Sequence, residues 1–249
     1  MKRILFVSLL VILPRLLLSQ VTVGEGGTYP SLFEAFNAVN EGNLTGDVTI
    51  IIISNITETS TAVLYQPGYN GTADYTSVTV YPDAAGYIIE CDFDGPLIEF
   101  NGASGVIFDG RTGGTSPDNK DLTIRNINTG TSASTIHFTE SATSNIVRYC
   151  NIKGSSSGTT SGIILFSTAS SGNGNDSNTI TYNDISSFSS RPVNAIFSSG
   201  SSGSENSENT ISNNNISDLN HWMHFYVPFH ASYPSHKRKS EKFKMSKKD

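Results

Sequence analysis

The chain has 249 residues, a net charge of −6 and only 15% charged residues, a length suited to one extended solenoid or one to two globular domains. Seven of the sixteen Lys/Arg residues lie after residue 219, against Glu241 and Asp249, so residues 1–219 hold nine basic and twenty acidic residues, a net −11. A body so poor in Lys and Arg lacks the footprint that a phosphate backbone requires, which argues against nucleic acid as a partner.

The first residues read as an export signal. Lys2 and Arg3 precede an apolar run from Ile4 to Leu13, Pro14 and Arg15 interrupt it, and Ser19–Gln20 is the expected cut. The run is short for a bilayer span. Residues 1–19 are therefore expected to be a signal peptide on a secreted or cell-surface protein, with no transmembrane span once it is removed. Residues 20–46 are expected to form an N-terminal cap. Val21–Val23 is a short strand, and Ser31-Leu-Phe-Glu34 is a capping box that opens a helix over about 31–40. Leu32, Ala35, Phe36 and Val39 share one helical face, and Gly42 follows as a stop.

From Asp47 the pattern turns to strands. Apolar, β-branched runs are expected over 48–53, 77–81, 87–91, 97–100, 106–108, 122–127, 135–138, 146–152, 162–166, 178–185, 194–197 and 209–216. The connections are Ser, Gly, Thr, Asn and Asp, which build loops rather than a core. No helix intervenes between strands, so a doubly wound α/β fold is excluded. Cys91 and Cys150 lie in apolar runs and read as buried free thiols, too far apart in the coil register to pair.

One pattern recurs four times: a branched apolar residue, then an isoleucine five positions later with Asn or Asp before it. The copies are Leu122/Ile127, Val147/Ile152, Ile180/Ile185 and Ile211/Ile216, with first members 25, 33 and 31 residues apart. Such a period means one supersecondary unit stacked on itself, here as parallel coils over residues 47–219. Short strands ending in Phe138, Phe166 and Phe197 precede the last three copies. Asn126, Asn151, Asp184 and Asn215 are expected to stack as a side-chain ladder at a sharp corner, where Asn tolerates a left-handed backbone. Asn183 and Asn214 take that role if the register shifts by one.

Val23-Gly-Glu-Gly-Gly-Thr-Tyr-Pro-Ser-Leu-Phe-Glu-Ala-Phe36 followed by Leu44-Thr-Gly-Asp-Val-Thr-Ile50 resembles the entry segment of secreted bacterial right-handed parallel β-helix proteins of the pectin-lyase-like superfold. Gly105-Val-Ile-Phe-Asp-Gly110, Leu122-Thr-Ile-Arg-Asn-Ile127 and Asn145-Ile-Val-Arg-Tyr-Cys-Asn-Ile152 resemble its coil repeats. The resemblance covers about residues 21–219. It implies an all-β, right-handed solenoid, of about seven coils on the strand spacing here, with the short helix capping its N-terminal end. Residues 220–249 depart from it. They hold none of the 22 glycines, four of the five histidines (221, 224, 230, 236) and the only Trp. They are expected to be foreign to the fold, as from a truncated or frameshifted gene end.

The most site-like cluster is Glu90, Asp92 and Asp94, with Glu99 nearby. Alternation puts the first three on one strand face, where they would suit Ca²⁺ or the paired carboxylates of glycoside hydrolysis. A solvated acidic edge beside Asp94-Gly95-Pro96 is the favoured reading of these carboxylates. Of the basic residues in the coil region, Arg111, Arg125, Arg148 and Lys153 are the candidates for a functional role. Arg125 and Arg148 hold near-equivalent repeat positions and are expected on one surface, where they would neutralise an acidic sugar. His137 alternates with Ile136 and Phe138 and so faces outward, without an evident partner. Tyr65, Tyr69, Tyr75, Tyr81 and Tyr87 are candidates for a sugar-stacking strip. The galacturonan-hydrolase quartet of motifs is absent. The expected function is accordingly a non-catalytic, adhesin-like or glycan-contacting surface protein, needing no cofactor, with extracellular or cell-wall polysaccharide as partner. The alternatives are a lyase or hydrolase on acidic glycans, with Asp92, Asp94, Arg125 and Arg148 nearest the chemistry, and a truncated product without a function of its own. An open last coil is expected to self-associate.

Overall fold

Strand β1 (Ser19–Val23) leads into helix α1 (Leu32–Asn40), and sequence fixes both ends of that helix. The Ser31 side chain caps it by accepting the Glu34 N–H at 3.2 Å. Glu34 does not supply the reciprocal bond of a capping box. Glu58, from the first coil, reaches under the helix instead and accepts the N–H groups of Leu32 and Phe33 at 2.6 and 3.4 Å. At the other end Asn40 donates to Val63 O and accepts the Tyr65 N–H. Leu32, Ala35, Phe36 and Val39 are fully buried, so α1 closes the apolar interior at that end.

Six coils of three strands follow in this computed structural model, which describes residues 19–226 except 116–117 and 171, with backbone alone over 221–226. The first coil is β2 (Gly46–Ile52), β3 (Ile56–Glu58) and β4 (Ala62–Tyr65). The second is β5 (Tyr75–Pro82), β6 (Tyr87–Cys91) and β7 (Pro96–Asn101), and the third β8 (Val106–Asp109), β9 (Leu122–Asn126) and β10 (Ser134–Thr139). The fourth is β11 (Ile146–Arg148), β12 (Cys150–Gly154) and β13 (Ile164–Phe166), the fifth β14 (Thr179–Thr181), β15 (Asp184–Ser187) and β16 (Asn194–Ser199). The sixth is β17 (Thr210–Ser212), β18 (Asn215–Ser217) and β19 (His221–Tyr226). Every strand pairs in parallel with its equivalent in the next coil. The three resulting sheets run β1-β2-β5-β8-β11-β14-β17, β3-β6-β9-β12-β15-β18 and β4-β7-β10-β13-β16-β19. The chain is thus an all-β parallel solenoid of about six turns rather than seven.

Inward residues form columns, because the period of two along each strand meets an identical register between coils. In the second sheet the column is Ile56, Ile89, Ile124, Ile152, Ile185 and Ile216. In the first it is Ile50, Val80, Phe108, Val147, Ile180 and Ile211. In the third, Phe100, Phe138 and Phe166 align, with ring centroids 5.1 and 4.5 Å apart. Each fully buried aliphatic side chain contributes roughly 1.5–3 kcal/mol relative to exposure. Cys91 and Cys150 are buried and free, as their apolar runs suggest; burial pushes the Cys91 thiol up to about 12.

Three of the four repeat copies therefore stack, and the first does not. Val147/Ile152, Ile180/Ile185 and Ile211/Ile216 each bridge the first and second sheets across a corner at Tyr149, Tyr182 and Asn213, where φ is +53°, +58° and +55°. In the third coil residues 110–121 intervene between β8 and β9, so no such corner exists there. Leu122 instead faces Cys150, and Ile124 rather than Ile127 occupies the column. The Phe series slips similarly: Phe197 aligns with Leu165 on the outer row, and Ser198 follows Phe166. The backbone of 221–226 pairs with β16, so these six residues continue the third sheet although they fall in the stretch expected to be foreign. The rest of that stretch, residues 227–249, and residues 1–18 of the expected signal lie outside the described residues.

Candidate functional site

The acidic cluster does not converge. Glu90 takes two bonds from Arg125, from Nε at 2.8 Å and Nη2 at 2.5 Å. Asp92 accepts Asn128 Nδ2 at 3.0 Å and Asp94 the Ser132 N–H at 2.7 Å. Each of these three carboxylates serves a neighbour in the following coil. Among the described residues no group of three or more His, Cys, Asp or Glu side chains is gathered closely enough to hold a metal ion. Arg125 and Arg148 lie on different sheets, a consequence of the out-of-register first repeat. Arg148 Nε bonds Asp109 Oδ2 at 2.8 Å, and Arg111 Nη2 bonds the same oxygen at 2.6 Å. Asp109 is 1% exposed, so two guanidinium groups together offset the cost of burying one carboxylate.

The amide ladder lies one residue before the expected positions. Asn151, Asp184 and Asn215 are in Cα register but outside the corner: Asn151 Nδ2 bonds Lys120 O, and Asp184 sits 3.5 Å from Lys120 Nζ. Asn126 aligns with Cys91 and donates Nδ2 both to Ser134 O of its own coil and to Gly95 O of the preceding one. The stacked amides are Asn183 and Asn214, with two further series, Asn145-Asn178-Asn209 and Asn175-Asn206. Asn183 shows the logic. Its Oδ1 accepts the Cys150 N–H of the previous coil at 2.9 Å, and its Nδ2 donates to Val147 O and Asn214 Oδ1 at 2.9 and 3.1 Å. These series recur at 33 and 31 residues, the period of the last two repeats, so the sequence did carry their signal.

Two side-chain constellations on the outer surface have chemical potential. At the first corner Tyr149 and Tyr182 stack with centroids 5.0 Å apart and planes 3° from parallel. Arg111 lies over the Tyr149 ring at 4.3 Å, and Tyr182 is 44% exposed. Gly110 permits the close approach of coils here, since a Cβ would strike the Tyr149 carbonyl. The pair edges a cleft of about 250 Å³ completed by Asp118, Lys120, Asp184, Asn213 and Asn215. Sequence reasoning chose other tyrosines. Tyr65 and Tyr69 do stack, at 3.8 Å, but Tyr75 is buried with its hydroxyl donating to Tyr65 O.

The second constellation is on the third sheet. Glu99 and His137 are register partners on the outer row of β7 and β10. Glu99 Oε2 lies 3.0 Å from His137 Nδ1, and His137 Nε2 lies 2.9 Å from Ser167 Oγ, just past β13. Asn101 Nδ2 donates to the other Glu99 oxygen at 3.0 Å. Burial raises the Glu99 pKa, but the hydrogen bonds from His137 and Asn101 outweigh it and hold the carboxyl below its usual range. His137 does face outward, yet it has the acid and hydroxyl partners that its local sequence does not reveal, because they arrive from coils 38 residues before and 30 after.

The class is set by the fold: a parallel β-solenoid carrying polar and aromatic groups on its outer faces. No family model, curated protein or solved structure matches this chain. No helix among the described residues is long and apolar enough to cross a membrane.

Proposed function

We propose that the solenoid contacts polysaccharide, and that the cleft at Tyr149 and Tyr182 is where a sugar ring docks. The observation that carries this is backbone strain at exposed aromatics. Bulky residues in the left-handed region cost of order 1–3 kcal/mol and are kept where surroundings or function demand them. Asn213 fills the equivalent corner of the next coil, as a purely structural corner would have it. Tyr149 is covered by Arg111 on one side and Tyr182 on the other, so the ring of Tyr182, 44% exposed, is the one that offers solvent a flat apolar face. Such faces suit the C–H side of a sugar ring, and the carboxylates, amides and Lys120 around them match its hydroxyls. The resemblance to pectin-lyase-like solenoids and the export reading of residues 1–19 both favour an extracellular or cell-wall glycan.

The test is affinity electrophoresis and calorimetry with polygalacturonate, alginate and a neutral glucan. Binding to at least one, weakened about tenfold or more in Tyr182→Ala, which removes about 1.4 kcal/mol, is the expected result. Absence of binding to all three, or equal binding by the variant, overturns the proposal.

A further inference from the structure

We infer that Glu99, His137 and Ser167 form a serine-nucleophile site that hydrolyses carboxylic esters, on a different sheet from the tyrosine cleft and independent of it. The arrangement is an acid–imidazole–hydroxyl chain with both links at hydrogen-bond length, 3.0 and 2.9 Å. The roles follow from the atoms. Glu99 binds Nδ1, so it orients the ring and fixes the tautomer that leaves Nε2 free to accept a proton. Ser167 Oγ faces that nitrogen. Its hydroxyl has a second acceptor in Thr139 Oγ1, also at 2.9 Å, and rotation about Cβ–Oγ switches it from Thr139 to His137.

The three residues come from three successive coils, so the rigid register of the parallel sheet preorganises them. Glu99 and His137 are on one outer row, and Ser167 is on the adjacent outer row, beyond Phe166. His137 and Glu99 side chains are 15% and 18% exposed, shielded enough for the charges to interact strongly yet open on the solvent side. The outer row of His137 continues with half-buried Leu165, an apolar side chain against which an acyl chain or aryl group can lie.

In the first step Ser167 Oγ bonds the acyl carbon while its proton passes to His137 Nε2. The carbon–oxygen bond to the alcohol then breaks, and His137 returns that proton to the leaving oxygen. In the second step water adds to the acyl carbon, giving its proton to Nε2. The bond to Ser167 breaks, Ser167 regains the proton, and the carboxylic acid leaves. Ester and water become acid and alcohol, with no other reactant. Glu99 acts as a positioning residue.

The test uses the full chain, a fluorophosphonate probe and p-nitrophenyl acetate. Peptide mapping by mass spectrometry should place the phosphonyl adduct on Ser167 of the wild-type chain. Ester hydrolysis should fall roughly a hundredfold in His137→Ala and Ser167→Ala. Glu99→Ala should slow labelling at least tenfold, and Glu99→Asp should restore part of it. Circular dichroism of the variants keeps loss of fold distinct from loss of chemistry. A wild-type chain left unlabelled at Ser167, or labelled equally in folded His137→Ala, overturns the inference.

Discussion

Truncating Asn183 to Ala tests the corner that sets the register of the solenoid. The residue is fully buried. The change removes the acceptor used by the Cys150 N–H and the donor to Val147 O and Asn214 Oδ1. Each buried group deprived of its partner costs about 1–3 kcal/mol, so losing the bonds to Cys150 and Val147 should cost about 2–6 kcal/mol. Its neighbour provides the control. Asp184 is 40% exposed in its side chain and meets Lys120 at 3.5 Å, so Asp184→Ala should change stability by about 0.5 kcal/mol or less. Denaturant unfolding followed by circular dichroism gives both values, with the midpoint and slope read separately. Equal costs for the two adjacent substitutions, or a cost below about 1 kcal/mol for Asn183→Ala, would refute the assignment of the ladder to residues 183 and 214.

Glu58 makes stability pH-dependent. Burial raises its carboxyl from 4.5 to about 7, despite the Leu32 and Phe33 N–H groups. Folding therefore favours the neutral acid. Its stabilisation is complete below pH about 4.5 and is lost as pH rises through about 7, by about 3 kcal/mol in all. Glu58→Gln keeps a neutral acceptor under the helix, so the melting temperature of the variant should gain on wild type between pH 5 and 8; parallel profiles for the two would contradict this. In the aromatic column, Phe138→Ala opens a cavity between Phe100 and Phe166 and should cost about 3–5 kcal/mol. Exposed Phe188→Ala should cost less than about 1 kcal/mol in the same unfolding assay.

The fold was readable because apolar periodicity and a fixed repeat length are properties of the interior, and the interior is what stacking makes uniform. Ile152, Ile185 and Ile216 announce the second sheet directly. Ile127 misleads because the same five-residue spacing occurs inside one strand and its following turn as well as across a corner. The ladder was displaced by one residue for a related reason. Both Asn183 and Asp184 fit a polar corner by type, and only the left-handed turn at Tyr182 decides which side chain points in. The outer surface was less legible. Glu99, His137 and Ser167 are each ordinary in local context, and their proximity depends on loop lengths between coils. The tyrosine cleft was hidden because its two rings sit at corners rather than in strands.

The amide-to-amide bonds have one more property. Asn145 to Asn178, Asn178 to Asn209, Asn175 to Asn206 and Asn183 to Asn214 all run from the nitrogen of the earlier residue to the oxygen of the later one. The backbone N–H of each earlier residue meets the same oxygen, which holds the amides in that sense. The dipoles add instead of cancelling, so the solenoid has a head and a tail electrically as well as by chain direction. Any turn grafted between two others must bring an oxygen toward the turn before it and a hydrogen toward the turn after. Asparagine does both; aspartate and leucine would break the current at that joint.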